Sequence, residues 1–185
     1  MDTINGLPAH ILLVHSIVVL IPLAASLLVL TAVWPAARRR LAGPNAILAV
    51  VALALIPVTT QVGEWLQRHV TSTALLERHT GIGDTALWFS LPVTLLALVV
   101  WWRGREAKAA TDVGTPAGPR AATSPAVPAR RAYLAPASAA VTTVIAVLSI
   151  VAAGGAAYDI YRVGDSGAQA SWHNKVSATA NGPER

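Results

Sequence analysis

Four long apolar segments dominate this chain, and they limit it to a small set of folds. They run from about Pro8 to Pro35, Asn45 to Leu66, Gly83 to Trp102 and Ala137 to Tyr161. Each supplies the roughly 20 residues that a helix needs to cross about 30 Å of hydrocarbon. Only 12% of the residues are charged, whereas soluble domains carry about 25%, so lipid must cover part of the surface. The sequence therefore predicts an all-α integral membrane protein, a four-helix bundle.

The stretches between and after these segments predict how the chain is divided. Residues 1–105 are expected to hold the first three transmembrane helices, and residues 137–163 the fourth. Residues 106–136 carry five prolines and almost no large apolar side chain, which predicts a flexible, disordered linker. Residues 164–185 are mostly small and polar, so we expect a mostly disordered tail there.

Lys and Arg are unevenly distributed among the connecting segments. Nine of the fourteen basic residues lie in the connections after the first and third spans. By the positive-inside bias these connections are cytoplasmic, which places both the N-terminus and the C-terminus outside. The first segment lacks the basic start of a signal peptide, so we expect it to be a retained anchor. The chain is thus predicted to be a multi-pass protein of the cell membrane, with the lipid bilayer as its main partner.

Composition also excludes some classes of function. The basic residues form short groups beside apolar runs rather than a continuous patch, so no nucleic acid partner is expected. The chain has no cysteine, which rules out a disulfide, a thiolate metal site and a cysteine-ligated iron–sulfur cluster. It also lacks a nucleotide-binding glycine pattern, a nucleophile–base arrangement and a pair of catalytic carboxylates. We therefore expect no catalytic residues, and no enzymatic activity of the chain by itself.

All five histidines fall on the predicted outer side of the membrane. His15 is embedded in apolar sequence, and an ionisable residue within a span is a functional candidate because its desolvation must be offset. We expect His15 to be the buried member of an outer site for haem or a transition metal, with His79 as the second ligand. His10 and His69 are the alternatives, and His173, in the predicted tail, is not expected to contribute.

Structural roles for the same residues stay open. His15 is equally well explained as a neutral imidazole that hydrogen-bonds to another helix. Glu64 lies four residues before Arg68, which favours an ion pair at the helix end over a hydrogen bond that orients the His15 imidazole. The small residues of Ala152–Ala157 predict close helix packing, with Gly154 at the contact.

Three segments resemble a known family. They are the opening Leu7–His15, the stretch Glu77–Asp84 before the third span, and Tyr161–Ala168 after the fourth. In these segments the chain resembles a bacterial membrane family called domain of unknown function 2231, over all four spans but not the linker. The resemblance implies a four-helix protein of the bacterial inner membrane, and electron transfer with haem, since some members are joined to Rieske iron–sulfur domains. Members often have His where this chain has Asp165, which removes one ligand.

The histidines and the resemblance together favour a haem- or metal-binding electron-transfer component with a histidine site at its outer face. Two alternatives stay open: a non-catalytic partner subunit or assembly factor of a membrane complex, and a small oligomeric transporter. Besides lipid, the expected partners are a membrane redox protein or another membrane protein, and further copies of the same chain in a homo-oligomer.

Overall fold

The computed structural model describes residues 3–4, 7–113, 134 and 138–180, and within them the chain is helical apart from short connections and one strand pair. The strands β1, Thr3–Ile4, and β2, Leu7–Pro8, pair antiparallel. The helices of the described residues are α1, Ala9–Val33; α2, Pro35–Gln67; α3, Ala74–Gly83; α4, Thr85–Val113; and α5, Ala139–Ala180.

The four long helices form a closed bundle. α1 packs against α2 and α5, and α4 packs against the same two helices, while the short α3 lies mainly on α5. Ile21 and Leu28 of α1 and Val93 of α4 are almost fully buried between them. Small side chains let the helix backbones approach closely, as they do in membrane bundles. The buried alanines include Ala24, Ala25, Ala32, Ala46, Ala49, Ala52, Ala97 and Ala156.

Large apolar side chains also cover the outside of the bundle. They include Val19, Ile47, Leu95, Val147 and Val151, all of which are exposed. So large an exposed apolar surface is covered by lipid rather than by water. The helical segments long and apolar enough to cross a membrane are Leu12–Val33, Pro35–Gln67, Ala74–Thr111 and Ala139–Trp172. The predicted all-α bundle is thereby confirmed, with four helices that are long and apolar enough to span a membrane.

The connection between α1 and α2 is much tighter than the sequence predicts. Trp34 alone separates the two helices, and it is extended (φ −110°, ψ 111°), as a residue before proline usually is. Arg38 turns back from α2, where its Nε donates to the Thr31 carbonyl at 2.9 Å and its Nη2 to the Ala32 carbonyl. These carbonyl groups belong to the last turn of α1, where carbonyl groups have no N–H partner within their own helix. The helix that carries the second apolar segment therefore begins ten residues before the predicted start of the span near Asn45.

A buried arginine joins α4 to the start of α5. Arg103 is only 4% exposed, and its guanidinium donates to the Thr142 hydroxyl at 3.0 Å and to the Ser138 carbonyl at 3.2 Å. Its Nε donates to the Leu134 carbonyl at 3.0 Å. The end of the bundle that carries Trp34, Arg38, Arg103 and Ser138 is called the arginine end below.

Two predicted non-helical regions are corrected in part. α4 continues to Val113, well into the predicted linker 106–136, of which residues 114–133 and 135–137 lie outside the described part of the chain. α5 continues to Ala180, so the predicted disordered tail from 164 onward is wrong up to that residue. No proline interrupts residues 139–180, and Ser166 is buried beneath α3, which holds this part of the helix in the fold.

The small-residue stretch of α5 makes its contact one residue later than predicted. A Cβ added at Gly154 would meet nothing within 4 Å, and this residue is exposed. A Cβ at Gly155 would lie 3.2 Å from the ring of Phe89 on α4. Adjacent residues of a helix are about 100° apart, so only one of the two glycines faces the neighbouring helix.

Candidate functional site

His10 begins the bundle at the end opposite to the arginines. It lies in the first turn of α1, is half-buried, and its Nδ1 is 3.2 Å from the carbonyl oxygen of Thr59 on α2. A carbonyl oxygen only accepts hydrogen bonds, so Nδ1 carries the proton and donates. The other ring nitrogen, Nε2, is then left with its lone pair.

His79 reaches the same end of the bundle from α3. Thr73 caps this helix, since its hydroxyl accepts from the Leu76 N–H at 3.2 Å. The His79 ring lies against α5, with Nδ1 3.0 Å from the Ser166 hydroxyl. Ser166 has one hydroxyl proton and donates it to the Val163 carbonyl at 3.0 Å. The Ser166 oxygen therefore accepts from His79 Nδ1, and here too Nε2 keeps its lone pair.

Two glycines make room for these rings. A Cβ at Gly63 would lie 2.8 Å from His10 Cε1, and a Cβ at Gly167 would lie 3.1 Å from His79 Cε1. Both distances are shorter than ordinary van der Waals contacts. Each imidazole is thus held by one hydrogen bond and by close packing on a glycine backbone. The end of the bundle that carries His10, Thr59, His79 and Ser166 is called the histidine end below.

Burial favours the electrically neutral form of the His10 imidazole. His79 lies within electrostatic range of His10, so a positive charge on one ring disfavours a charge on the other. His10 precedes the membrane-spanning segment Leu12–Val33. Burial lowers the pKa of His10 below its ordinary value of 6.5, partly opposed by the hydrogen bond to Thr59. A neutral imidazole is the form that binds a metal.

The donor set at the histidine end is small. Within the described part of the chain, no three His, Cys, Asp or Glu side chains come together as ligands of one metal ion. A structural zinc site takes four protein ligands, so it does not fit these residues. Haem iron takes only axial ligands from the protein, and histidine is a common one. Two imidazoles whose Nδ1–H groups are already bonded fit that requirement, because such hydrogen bonds fix the tautomer of metal-binding histidines.

The structure does not place His15 with this pair. Its side chain is exposed on α1, so it is not the buried member of the site that the sequence predicts. His10 and His15 are five residues apart, which is about 140° around a helix, and only His10 faces α2. His10, rather than His15, is the half-buried histidine of α1 at the end of the bundle that also carries His79.

The remaining predicted residues lie on the surface or outside the described side chains. His69 is exposed, stacks on Trp65 with ring centroids 4.1 Å apart, and bonds the Trp65 carbonyl through Nδ1 at 2.8 Å. The Glu64 side chain is exposed, and no ion pair joins it to Arg68 among the residues described. Only the Glu64 carbonyl contacts Arg68, by accepting from its N–H at 3.2 Å. The side chain of His173 lies outside the described part of the structure.

One buried carboxylate is not among the site residues that the sequence predicts. Asp159 is 1% exposed, whereas the carboxylates of Glu64 and Asp84 are exposed. Its Oδ1 lies 2.5 Å from the hydroxyl oxygen of Thr85, the first residue of α4. The signal in the sequence was the apolar run that precedes Asp159, which predicts that the residue lies within or at the end of a span.

A cavity of about 260 Å³ also lies towards the histidine end, between α2 and α4. Its walls are mainly apolar, and none of the histidines reaches it. We therefore treat it as separate from the two-histidine site. The lining residues are Ile56, Pro57, Thr60, Gln61, Asp84 and Leu87.

Comparisons with protein-family models, with curated proteins and with solved structures find no match to this chain.

Proposed function

We propose that this chain is a multi-pass protein of the bacterial inner membrane that binds haem iron or a transition-metal ion through His10 and His79 and takes part in electron transfer. The observation that carries the proposal is the state of the two imidazoles. Both Nδ1–H groups are bonded, to Thr59 and to Ser166, and both Nε2 atoms keep a lone pair. Of the two metal centres, haem iron fits a pair of imidazoles better, because the porphyrin supplies the other four ligands.

The residues around the imidazoles determine how firmly the pair is held. Thr59 and Ser166 fix the tautomers from two different helices, and Gly63 and Gly167 fix the ring planes by contact. When bound, the metal centre supplies a one-electron couple. The protein supplies the ligand nitrogens, their orientation, and the apolar surroundings that tune the potential. His15 and His69, whose side chains are exposed, are the weaker candidates as ligands.

The proposal includes an orientation. Arg38, Arg39 and Arg40 at the start of α2 and Arg103, Arg105 and Lys108 in the last part of α4 lie towards the arginine end, so that end is placed in the cytoplasm and the histidine end outside. Family membership is proposed with it. The segments that resemble domain of unknown function 2231 contribute His10, His79 and Ser166, which the structure brings to one end of the bundle. The roles of partner subunit and of oligomeric transporter stay predictions of the sequence.

The visible spectrum and the metal content of the purified protein test the proposal. Protein from cells supplied with haem and with transition metals is expected to carry a Soret band or about one metal ion per chain. His10→Gln and His79→Gln should each lose it, since an amide is a poor ligand for such a centre. His69→Gln is the matched control and should keep it. A colourless, metal-free wild-type protein, or full cofactor content in both site variants, would overturn the proposal.

A further inference from the structure

Asp159 has surroundings that are unusual for a carboxylate. It lies on α5 within the segment Ala139–Trp172, on the side that faces the bundle, together with the buried residues Ala156 and Ile160. Its exposed fraction is 1%. Removing an ionised carboxylate from water costs several kcal/mol unless it is paired and fully hydrogen-bonded. The hydrogen bonds of Asp159 therefore decide which protonation state the fold accommodates.

If Asp159 were ionised, the two hydrogen bonds of the Thr85 hydroxyl group would need two protons, but the hydroxyl group has only one. The Thr85 hydroxyl oxygen lies 2.7 Å from the Ile82 carbonyl oxygen and 2.5 Å from Asp159 Oδ1. A hydroxyl group has a single proton. If Thr85 donated it to an ionised Asp159, two oxygen atoms would face each other at 2.7 Å with no proton between them. If Thr85 donates it to Ile82 instead, the proton of the shorter contact must come from Asp159.

The second carboxyl oxygen supports the same assignment. Asp159 Oδ2 is buried and has no hydrogen-bond partner among the residues that the structure describes. In an ionised carboxylate this oxygen would carry part of a negative charge with no donor to stabilise it, which is strongly unfavourable. In a neutral acid with its proton on Oδ1, Oδ2 is a carbonyl oxygen, and leaving it without a partner costs much less.

We propose that Asp159 and Thr85 form a proton-binding site inside the bundle, in which Asp159 is a neutral carboxylic acid that donates from Oδ1 to the Thr85 hydroxyl. The ligand of this site is a single proton, and its binding does not depend on a metal at the histidine end. Buried carboxyls of this kind mark proton uptake and release within helical membrane proteins. The other ionisable groups that the packed elements bring to this end are His10 and His15 of α1, Glu77, Arg78 and His79 of α3 with Asp84 just after it, and Tyr158, Tyr161, Arg162 and Asp165 of α5.

Infrared spectroscopy of the purified protein in lipid tests the site. At neutral pH the wild-type protein should show the C=O stretching band of a protonated carboxyl group, shifted in D₂O, and Asp159→Asn should lose it. Asp165→Asn is the matched control, because Asp165 is an exposed aspartate on the same helix whose Oδ2 accepts a hydrogen bond from Gln169. In Thr85→Val the band should remain but move to higher frequency, because the acid loses the acceptor of its proton.

The two variants keep the test decisive if one of them fails to fold. The wild-type band alone, together with its shift in Thr85→Val, assigns the proton to Asp159 without the Asp159→Asn protein. Absence of a protonated-carboxyl band from the wild-type spectrum at neutral pH would overturn the proposal. A band that is unchanged in both Asp159→Asn and Thr85→Val would do so as well. Neither result bears on metal binding by His10 and His79, which the visible spectrum tests separately.

Discussion

Asn45 is a single polar side chain that fixes how α1 and α2 pack. It is completely buried in α2. In the orientation that satisfies its amide, Nδ2 donates to the Ala24 carbonyl at 3.2 Å and Oδ1 accepts from the Leu28 N–H at 3.2 Å. Ala24 and Leu28 are four residues apart, so the amide bonds both partners of one helical hydrogen bond of α1. No other residue of similar size could make both contacts, which ties the register of α2 to that of α1.

Asn45→Ala is expected to destabilise the bundle by about 1–3 kcal/mol, because two buried hydrogen bonds are lost and a cavity is left in their place. The measurement is unfolding in detergent, followed by circular dichroism. Ser26→Ala is the matched control, since Ser26 is an exposed residue of α1 and should change little. Equal stabilities of the two variants would show that the Asn45 amide does not hold the helices together.

Gly63→Ala is expected to displace the His10 ring, because the new Cβ would lie 2.8 Å from Cε1, closer than real contacts allow. Overpacking of this kind costs about 1–3 kcal/mol. The hydrogen bond from Nδ1 to Thr59 should weaken, and ¹⁵N spectra of labelled histidine should show a change in the Nδ1–H signal. Gly81→Ala is the control, because a Cβ there would meet nothing within 4 Å. An unchanged His10 signal in Gly63→Ala would contradict the packing described.

At the residue scale, the sequence predicts which end of the bundle carries the histidines better than it predicts the contacts of each histidine. It places His10, His15 and His79 at one end. The apolar neighbours of His15 predict that its side chain is buried, whereas that side chain is exposed and His10 is half-buried. Whether a side chain faces another helix or the lipid depends on the rotation of its helix, and an evenly apolar helix such as α1 gives little periodic signal. The partners Thr59 and Ser166 are separated from their histidines by 49 and 87 residues, and no local pattern connects them.

At the scale of the elements, hydropathy predicts the existence of the four long helices but not their ends. The apolar run of the second span starts near Asn45, whereas the helix starts at Pro35, because proline is well suited to a first turn. The preceding carbonyls of α1 are satisfied by Arg38. α3 lies between the second and third predicted spans, and Thr73 and the acidic Glu77 in its first turn are typical signals of a helix start. This short helix carries His79, so the position of the His79 ring depends on a helix that hydropathy does not predict.

Gly155→Leu is expected to separate α5 from α4, because its side chain would occupy the position of the Phe89 ring, which is 3.2 Å from a Cβ at this residue. The cost should be about 1–3 kcal/mol. Gly154→Leu is a closely matched control, since a Cβ there meets nothing within 4 Å and faces away from the bundle. Thermal unfolding in detergent compares the two. A larger loss in Gly154→Leu than in Gly155→Leu would mean that α5 is rotated relative to the structure described.

At the scale of the whole molecule, the two ends of the bundle have different chemistry. The arginine end uses Arg38 and Arg103 to bond main-chain carbonyls and the Thr142 hydroxyl, which closes the bundle there. The histidine end holds imidazoles whose Nε2 atoms are available, and a buried aspartate whose second oxygen has no partner. The two ends thus carry different polar groups, guanidinium groups at one and imidazoles with a buried carboxyl group at the other. This division follows from charge and hydropathy patterns that are visible in the sequence.

The orientation of these ends in the membrane is testable because the chain has no cysteine of its own, so each introduced cysteine is the only thiol that reacts. Thr71→Cys lies in the exposed connection between α2 and α3 at the histidine end, and Ala109→Cys is exposed on α4 beyond the arginine end. In intact cells or spheroplasts, a membrane-impermeant maleimide should label Thr71→Cys, and should label Ala109→Cys only after permeabilisation. The charge bias supports this result, because moving the many arginines of that end across the membrane is unfavourable. Labelling of Ala109→Cys but not Thr71→Cys from outside would reverse the orientation and place the two-histidine site in the cytoplasm. Labelling of both from the same side would instead contradict a bundle that crosses the membrane with its two ends on opposite faces.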